Sequence, residues 1–325
     1  MGQETRHDVD RPTGMASYKP ANTYRRRFLG GTAAALFATG LPAAEQARTE
    51  SLVRKRIPSS GEMVSAIGVG TARRYQGASG EPELAPLRTT LQRFVELGGT
   101  VVDTAPSYGD AEAVVGSLLG SLPADKPVFL ATKLGATGRG AGLSQVEDSF
   151  RLLRRKQLDL IAVHNLQDID NQLALLRELK AAGRIRHVGA TTSSDRQYPA
   201  FEAMMKRETL DLIQVDFALD NRGAADRLLP LARDRNMGVM INLPFGRGRL
   251  FDATRGKALP PWAAEFDCSS WAQFFLKYII SHEAVTCAIP GMAKPEYAAD
   301  NMRAATGRLP DPPLRKRMET FIDAL

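Results

Sequence analysis

The chain predicts an α/β protein: a closed (β/α)8 TIM barrel with an N-terminal hairpin cap and an extra C-terminal helix. Three observations carry this expectation. From residue 65 strand-like and helix-like segments alternate eight times. The strand-like segments are rich in Val, Ile and Leu, as strands covered on both faces are. Alternation of this kind implies a parallel sheet with right-handed crossovers, and eight units in roughly 240 residues fill one closed barrel.

The elements follow in order. SAIGVGT (65–71) reads as the first strand, and the helix ELAPLRTTLQRFVELG (83–98) ends at a glycine pair. The next strands are TVVDTA (100–105), VFLATKL (128–134) and LDLIAVHN (158–165), each separated from the next by a helical stretch. IRHVGATT (185–192), LDLIQVDF (210–217), GVMINLPF (238–245) and AVTCAIPG (284–291) complete the eight. Helices are expected over 146–154, 171–183, 224–236 and 271–281, the last with apolar side chains at three- and four-residue spacing. Residues 52–63 suit a short hairpin closing the barrel bottom, and 312–325 one further helix. Residues 246–270 read as a long Gly- and Pro-containing excursion over the rim, a place where long loops are functional or mobile. No linker divides residues 45–325, so they are expected to form a single barrel domain.

Composition narrows the function. With 43% hydrophobic and 24% charged residues the chain is neither disordered nor collagen-like. Six positive and three negative side chains of the net +7 fall within residues 1–44, so the rest is only mildly basic. No basic stripe with interleaved aromatics occurs, which argues against a nucleic-acid partner. Cys268 and Cys287 do not make a disulfide framework.

Residues 1–44 carry an address. Tyr24-Arg25-Arg26-Arg27-Phe28-Leu29-Gly30, then GTAAALFATGLPAA (31–44), resembles a twin-arginine secretion signal. The apolar run is shorter than the roughly 20 residues a membrane span needs. The reading implies a removed or disordered targeting segment, the twin-arginine export machinery as a partner, and a periplasmic or otherwise exported protein. The alternative is a cytoplasmic protein with an N-terminal extension.

Chemistry gathers at three successive strand ends: Asp103 and Tyr108, Lys133, and His164. A parallel barrel brings its strand ends onto one rim, where barrel enzymes place their reacting groups. Singly, each residue is as readily a cap, a packing ring or a salt-bridge partner; together they form a proton-transfer set. An ammonium beside a phenol favours the phenolate. Asp103 can hold Lys133 charged and oriented, His164 can hydrogen-bond a carbonyl substrate, and Tyr108 can act as general acid or base. None of the four supplies electrons, so a hydride cofactor is required. A barrel glycosidase would need paired rim carboxylates, and only Asp103 qualifies.

The chain resembles the aldo-keto reductases from residue 52 to about 310, through VVDTAPSYGDAEAVVG (101–116), FLATKLG (129–135) and LIAVHN (160–165). The resemblance implies that Asp103, Tyr108, Lys133 and His164 are catalytic and that NADP(H) binds on the barrel without a G-x-G-x-x-G fingerprint, which the chain lacks. It implies carboxamide contacts from Thr191, Thr192 and Gln214, and places Asn242 where an aromatic ring usually stacks on the nicotinamide. Pro244, Phe245, Gly246, Arg247 and Gly248 resemble a pyrophosphate-wrapping loop, with Arg247 or Arg249 to neutralise phosphate. AIPGMAKPEYAADNM (288–302) resembles an adenosine site: Gly291 for close approach, Lys294 for the 2′-phosphate, Asp300 and Asn301 for the adenine. The expected activity is NADP-dependent carbonyl reduction or alcohol oxidation. The alternative is an exported, NADP-loaded binding or redox-sensor protein with little turnover.

Overall fold

A computed structural model describes residues 51–123 and 125–325. The proposed targeting segment therefore lies outside the described residues. Eight parallel strands form one sheet: β3 (Val69–Gly70), β4 (Val101–Asp103), β5 (Phe129–Leu134), β6 (Leu158–His164), β7 (Ile185–Thr191), β8 (Leu212–Asp216), β9 (Gly238–Asn242) and β10 (Cys287–Ala288). Their spatial order follows chain order, as successive right-handed βα units require. The sheet closes on itself where Ile67 bridges Ala288 and Gly70 bridges Gly291. Gly70 is needed at that seam, since a Cβ there would sit 2.6 Å from the Ile289 carbonyl oxygen.

The two cores explain the sequence pattern. Inside the barrel Val101, Phe129, Ala131, Leu160, Leu212 and Met240 pack together, and Ile57 and Val64 plug them from below. Those last two belong to the hairpin of β1 (Arg54–Arg56) and β2 (Met63–Ser65), the cap expected from 52–63. Outside the barrel a larger apolar layer joins strands to helices, among them α1 (Glu81–Glu96), α2 (Ala111–Leu119), α3 (Arg139–Leu153) and α4 (Ile169–Ala181). Both faces of each strand are thus buried, and the strands read as apolar runs rather than as alternations.

Three expectations need correction. The third helix begins at Arg139 rather than 146, because Gly138 adopts φ +83° and starts the helix early. Helices α5 (Tyr198–Arg207), α7 (Arg249–Ala253) and α9 (Pro295–Arg303) had no sequence assignment, while α6 (Ala224–Asp234), α8 (Trp271–Ile280) and α10 (Pro312–Asp323) fall where expected. The 246–270 excursion is structured: α7 is flanked by 3-10 turns over Gly246–Gly248 and Pro261–Phe266. Phe251 anchors it on Phe245 and Phe275, with ring centroids 4.8 and 5.5 Å apart.

Candidate active site

The C-terminal strand ends enclose a cavity of about 700 Å³. Asp103, Lys133, Thr191 and Gln214, carried by β4, β5, β7 and β8, are buried at its base. Register aligns them: His164 pairs with Thr191, and Thr191 with Gln214. Lys133 Nζ donates to Asp103 Oδ2 at 2.7 Å and to the Thr104 carbonyl at 2.9 Å. Across the barrel, Gln214 Nε2 donates to Asp103 Oδ1 at 2.9 Å, and Thr191 Oγ1 donates to Gln214 Oε1 at 3.1 Å. A chain of hydrogen bonds thus fixes the carboxylate that fixes the ammonium.

Tyr108 and His164 stand above this base. The Tyr108 ring centroid is 5.2 Å from Lys133 Nζ and 6.3 Å from the His164 ring, which meets it edge-on at 85°. Ser107 Oγ lies 3.4 Å from His164 Nδ1. Burial would lower the pKa of Lys133, but Asp103 and Tyr108 outweigh it and hold the ammonium above its ordinary range. Burial, helped by the Lys133 charge, pushes His164 down to about 4. Near pH 7 the site therefore holds a cationic lysine and a neutral imidazole, which can donate one N–H.

The remaining expected positions divide. Asn242, Pro244, Phe245, Arg247, Gly248 and Gly291 line the same cavity as Asp103, Tyr108, Lys133 and His164. Gly246 and Arg249 line a neighbouring recess of about 370 Å³, with Arg247 on both. Arg249 Nε is held by Asp220 Oδ2 at 2.9 Å. Thr192 is fully buried and its hydroxyl donates to Gln197 Oε1 at 2.6 Å. Lys294, Asp300 and Asn301 line neither space. Lys294 Nζ lies 5.6 Å from the Tyr297 ring centroid, and the Asp300 carboxylate accepts Ser270 Oγ at 2.8 Å and Gln273 Nε2 at 2.7 Å. The cavity also takes in residues that the sequence analysis did not name individually, notably Arg73, Arg74, Ser107, Asn165 and Ser193, and Phe251 from the excursion expected over the rim. The strand-end rule applied to the first strand would have found the two arginines, which follow GVGTA directly.

The residues suit a nicotinamide dinucleotide. Asn242 Nδ2 donates to the Thr192 carbonyl at 3.0 Å, while its Oδ1 is buried without a hydrogen-bond partner among the described residues. Such an orphan costs about 1–3 kcal/mol and matches the N–H of a carboxamide. In the loop beyond it, Gly246, Arg247 and Gly248 take φ of +56°, +59° and +101°. A Cβ at Gly246 would run into the Asp220 carboxylate. Arg247 is the strained one, since glycine adopts positive φ freely, and such strain persists where surrounding structure imposes it.

Comparison with known proteins gives one answer. Residues 66–315 match the model of the Aldo/keto reductase family. Methylglyoxal reductase YeaE of Escherichia coli is 31% identical over 257 residues, 76% of this chain and 88% of that protein. An aldo-keto reductase from Klebsiella pneumoniae, solved in complex with NADPH, is 26% identical with a TM-score of 0.69, covering 83% of this chain and 96% of that one. The holo form of an aldo-keto reductase from Bacillus halodurans shares the fold at 22% identity, again with a TM-score of 0.69 and the same coverage of both chains.

Proposed function

This chain belongs to the aldo/keto reductase family, and from that premise we propose that it is an NADP-dependent carbonyl reductase or alcohol dehydrogenase whose proton-transfer group is Tyr108. The observation that carries the reading is the buried Asp103–Lys133 pair set beneath Tyr108 and beside His164. Bound nicotinamide supplies or accepts the hydride. The chain handles the proton. In reduction the Tyr108 hydroxyl gives its proton to the carbonyl oxygen, and in oxidation the phenolate takes it back from the alcohol. Lys133 stabilises the negative charge left on Tyr108, and Asp103 keeps Lys133 cationic and in place. Neutral His164 donates an N–H to the substrate oxygen and sets its angle.

Thr191, Gln214 and Asn242 would hold the carboxamide. Pro244 to Gly248 would wrap the pyrophosphate, with Arg247 offering a guanidinium to it. Thr192 acts from behind, keeping the backbone around Asn242 in shape. Gly291, Lys294, Asp300 and Asn301 are proposed for the adenosine half, with Asp300 working through its bonds to Ser270 and Gln273. Export by the twin-arginine route, which carries folded proteins, would let the cofactor travel already bound. The test is NADPH titration followed by a panel of aldehydes and ketones, read by loss of reduced nicotinamide. Reduction of at least one panel member is expected. A protein that retains NADP through dialysis yet reduces none would instead be a binding or sensor protein.

A further inference from the structure

The cavity carries more positive charge than the proton-transfer chemistry uses. Its lining includes Arg73, Arg74 and Arg247, and the one carboxylate among the described lining residues is Asp103, which is committed to Lys133. None of the three arginines makes an ion pair with a described residue, although the described surface is rich in them elsewhere. A concave site with unpaired charge of one sign focuses its field and gathers ligands of the other.

Two of the three form a local unit. Arg73 and Arg74 follow β3 directly, and Arg73 holds φ +60°, a conformation disfavoured for a residue with a side chain. The loop is fixed on both flanks. Tyr75 beside them is fully buried, and the Gly77 N–H donates to Asp110 Oδ1 at 2.6 Å. On the other flank Arg74 crosses the barrel seam, so that a Cβ at Gly291 would lie 3.4 Å from its Cγ. The pair therefore reaches from the Tyr108 segment to the β10 side.

We propose that Arg73 and Arg74 form an anion site in the mouth of this cavity, taking a carboxylate or phosphate. Planar guanidinium groups suit both anions, which they bind through paired hydrogen bonds. The anion is borne either by the carbonyl substrate or by the dinucleotide. The first case rests on the reductase reading above and makes the substrate class an acidic aldehyde or ketone.

Calorimetry on the NADP-saturated full chain separates the cases, with benzoate and benzamide as a matched pair, alongside NADP titration of the protein alone. If the anion belongs to the substrate, wild type binds benzoate about tenfold or more tightly than benzamide, as a charge-assisted bond implies. The Arg73→Gln/Arg74→Gln variant then loses that preference with little change in NADP affinity. If it belongs to the cofactor, the variant weakens NADP by about tenfold, with a shallower salt dependence, and benzoate shows no preference. An Arg73→Lys/Arg74→Lys variant keeps the charge and should retain part of either effect, which separates anion binding from misfolding. Unchanged benzoate and NADP binding in the glutamine variant overturns the site. Because the readout is binding, absence of turnover on every carbonyl would remove the acidic-carbonyl assignment together with the reductase reading, while loss of anion binding in the glutamine variant would still establish the site.

Discussion

Asp103, Lys133, Tyr108 and His164 show what a sequence can say about single residues. Each ends a strand or follows one closely, and barrel topology alone brings those ends together. The sequence pointed to a charged Lys133 but was silent on the protonation of His164. Whether Lys133 stays charged depends on the balance between burial and the Asp103 and Tyr108 groups, and that balance is set by distances across the barrel. His164 is the opposite case, held neutral by burial and by the Lys133 charge. Its pKa of about 4 has a consequence for stability. In the unfolded chain the imidazole takes up its proton near pH 6.5, while in the folded chain it does so only near 4. His164 therefore makes folding progressively less favourable as pH falls from 6.5 to about 4 and has no such effect above 6.5. Urea midpoints measured across this window should fall less steeply on acidification in His164→Gln than in wild type. An unchanged slope would mean that the imidazole titrates normally in the folded protein.

At the scale of elements, legibility followed the strength of the local pattern. Long amphipathic helices such as α4 and the apolar strands announced themselves. Short helices did not: α7 spans five residues inside a stretch whose Gly and Pro content reads as loop, and its aromatic anchor on Phe245 and Phe275 is a tertiary contact. The loop over residues 246–248, proposed to wrap the pyrophosphate, was recognisable from its glycines, but not the reason for them. Gly246 is required twice, by its φ of +56° and by the Asp220 carboxylate that occupies the space of a Cβ. Gly246→Ala should weaken NADPH binding, and Asp220→Ala in the same background should recover part of the loss by removing the clash, leaving roughly 1 kcal/mol of backbone strain. Fluorescence titration reads both. Equal affinity in wild type and Gly246→Ala would detach this loop from the cofactor.

For the whole molecule, the sequence conveyed the barrel and its hairpin plug because eight similar units must bury both faces of every strand. It did not convey the seam, which rests on a two-residue β3 and a two-residue β10 joined by isolated bridges. Nor did it convey the arrangement of the segment proposed for the adenosine, where Asp300 turns toward α8. The address at residues 24–44 is a separate proposal with its own test. Replacing Arg25 and Arg26 by Lys should leave the protein in the cytoplasm, as cell fractionation would show, and unchanged export would remove the twin-arginine assignment. The reaction itself is tested most directly with Tyr108→Phe, which deletes one oxygen atom and leaves the ring in place. NADPH titration and steady-state reduction of an accepted carbonyl should show cofactor affinity retained and turnover lower by on the order of 100-fold. Near-normal turnover in the variant would contradict the phenol as the source of the proton.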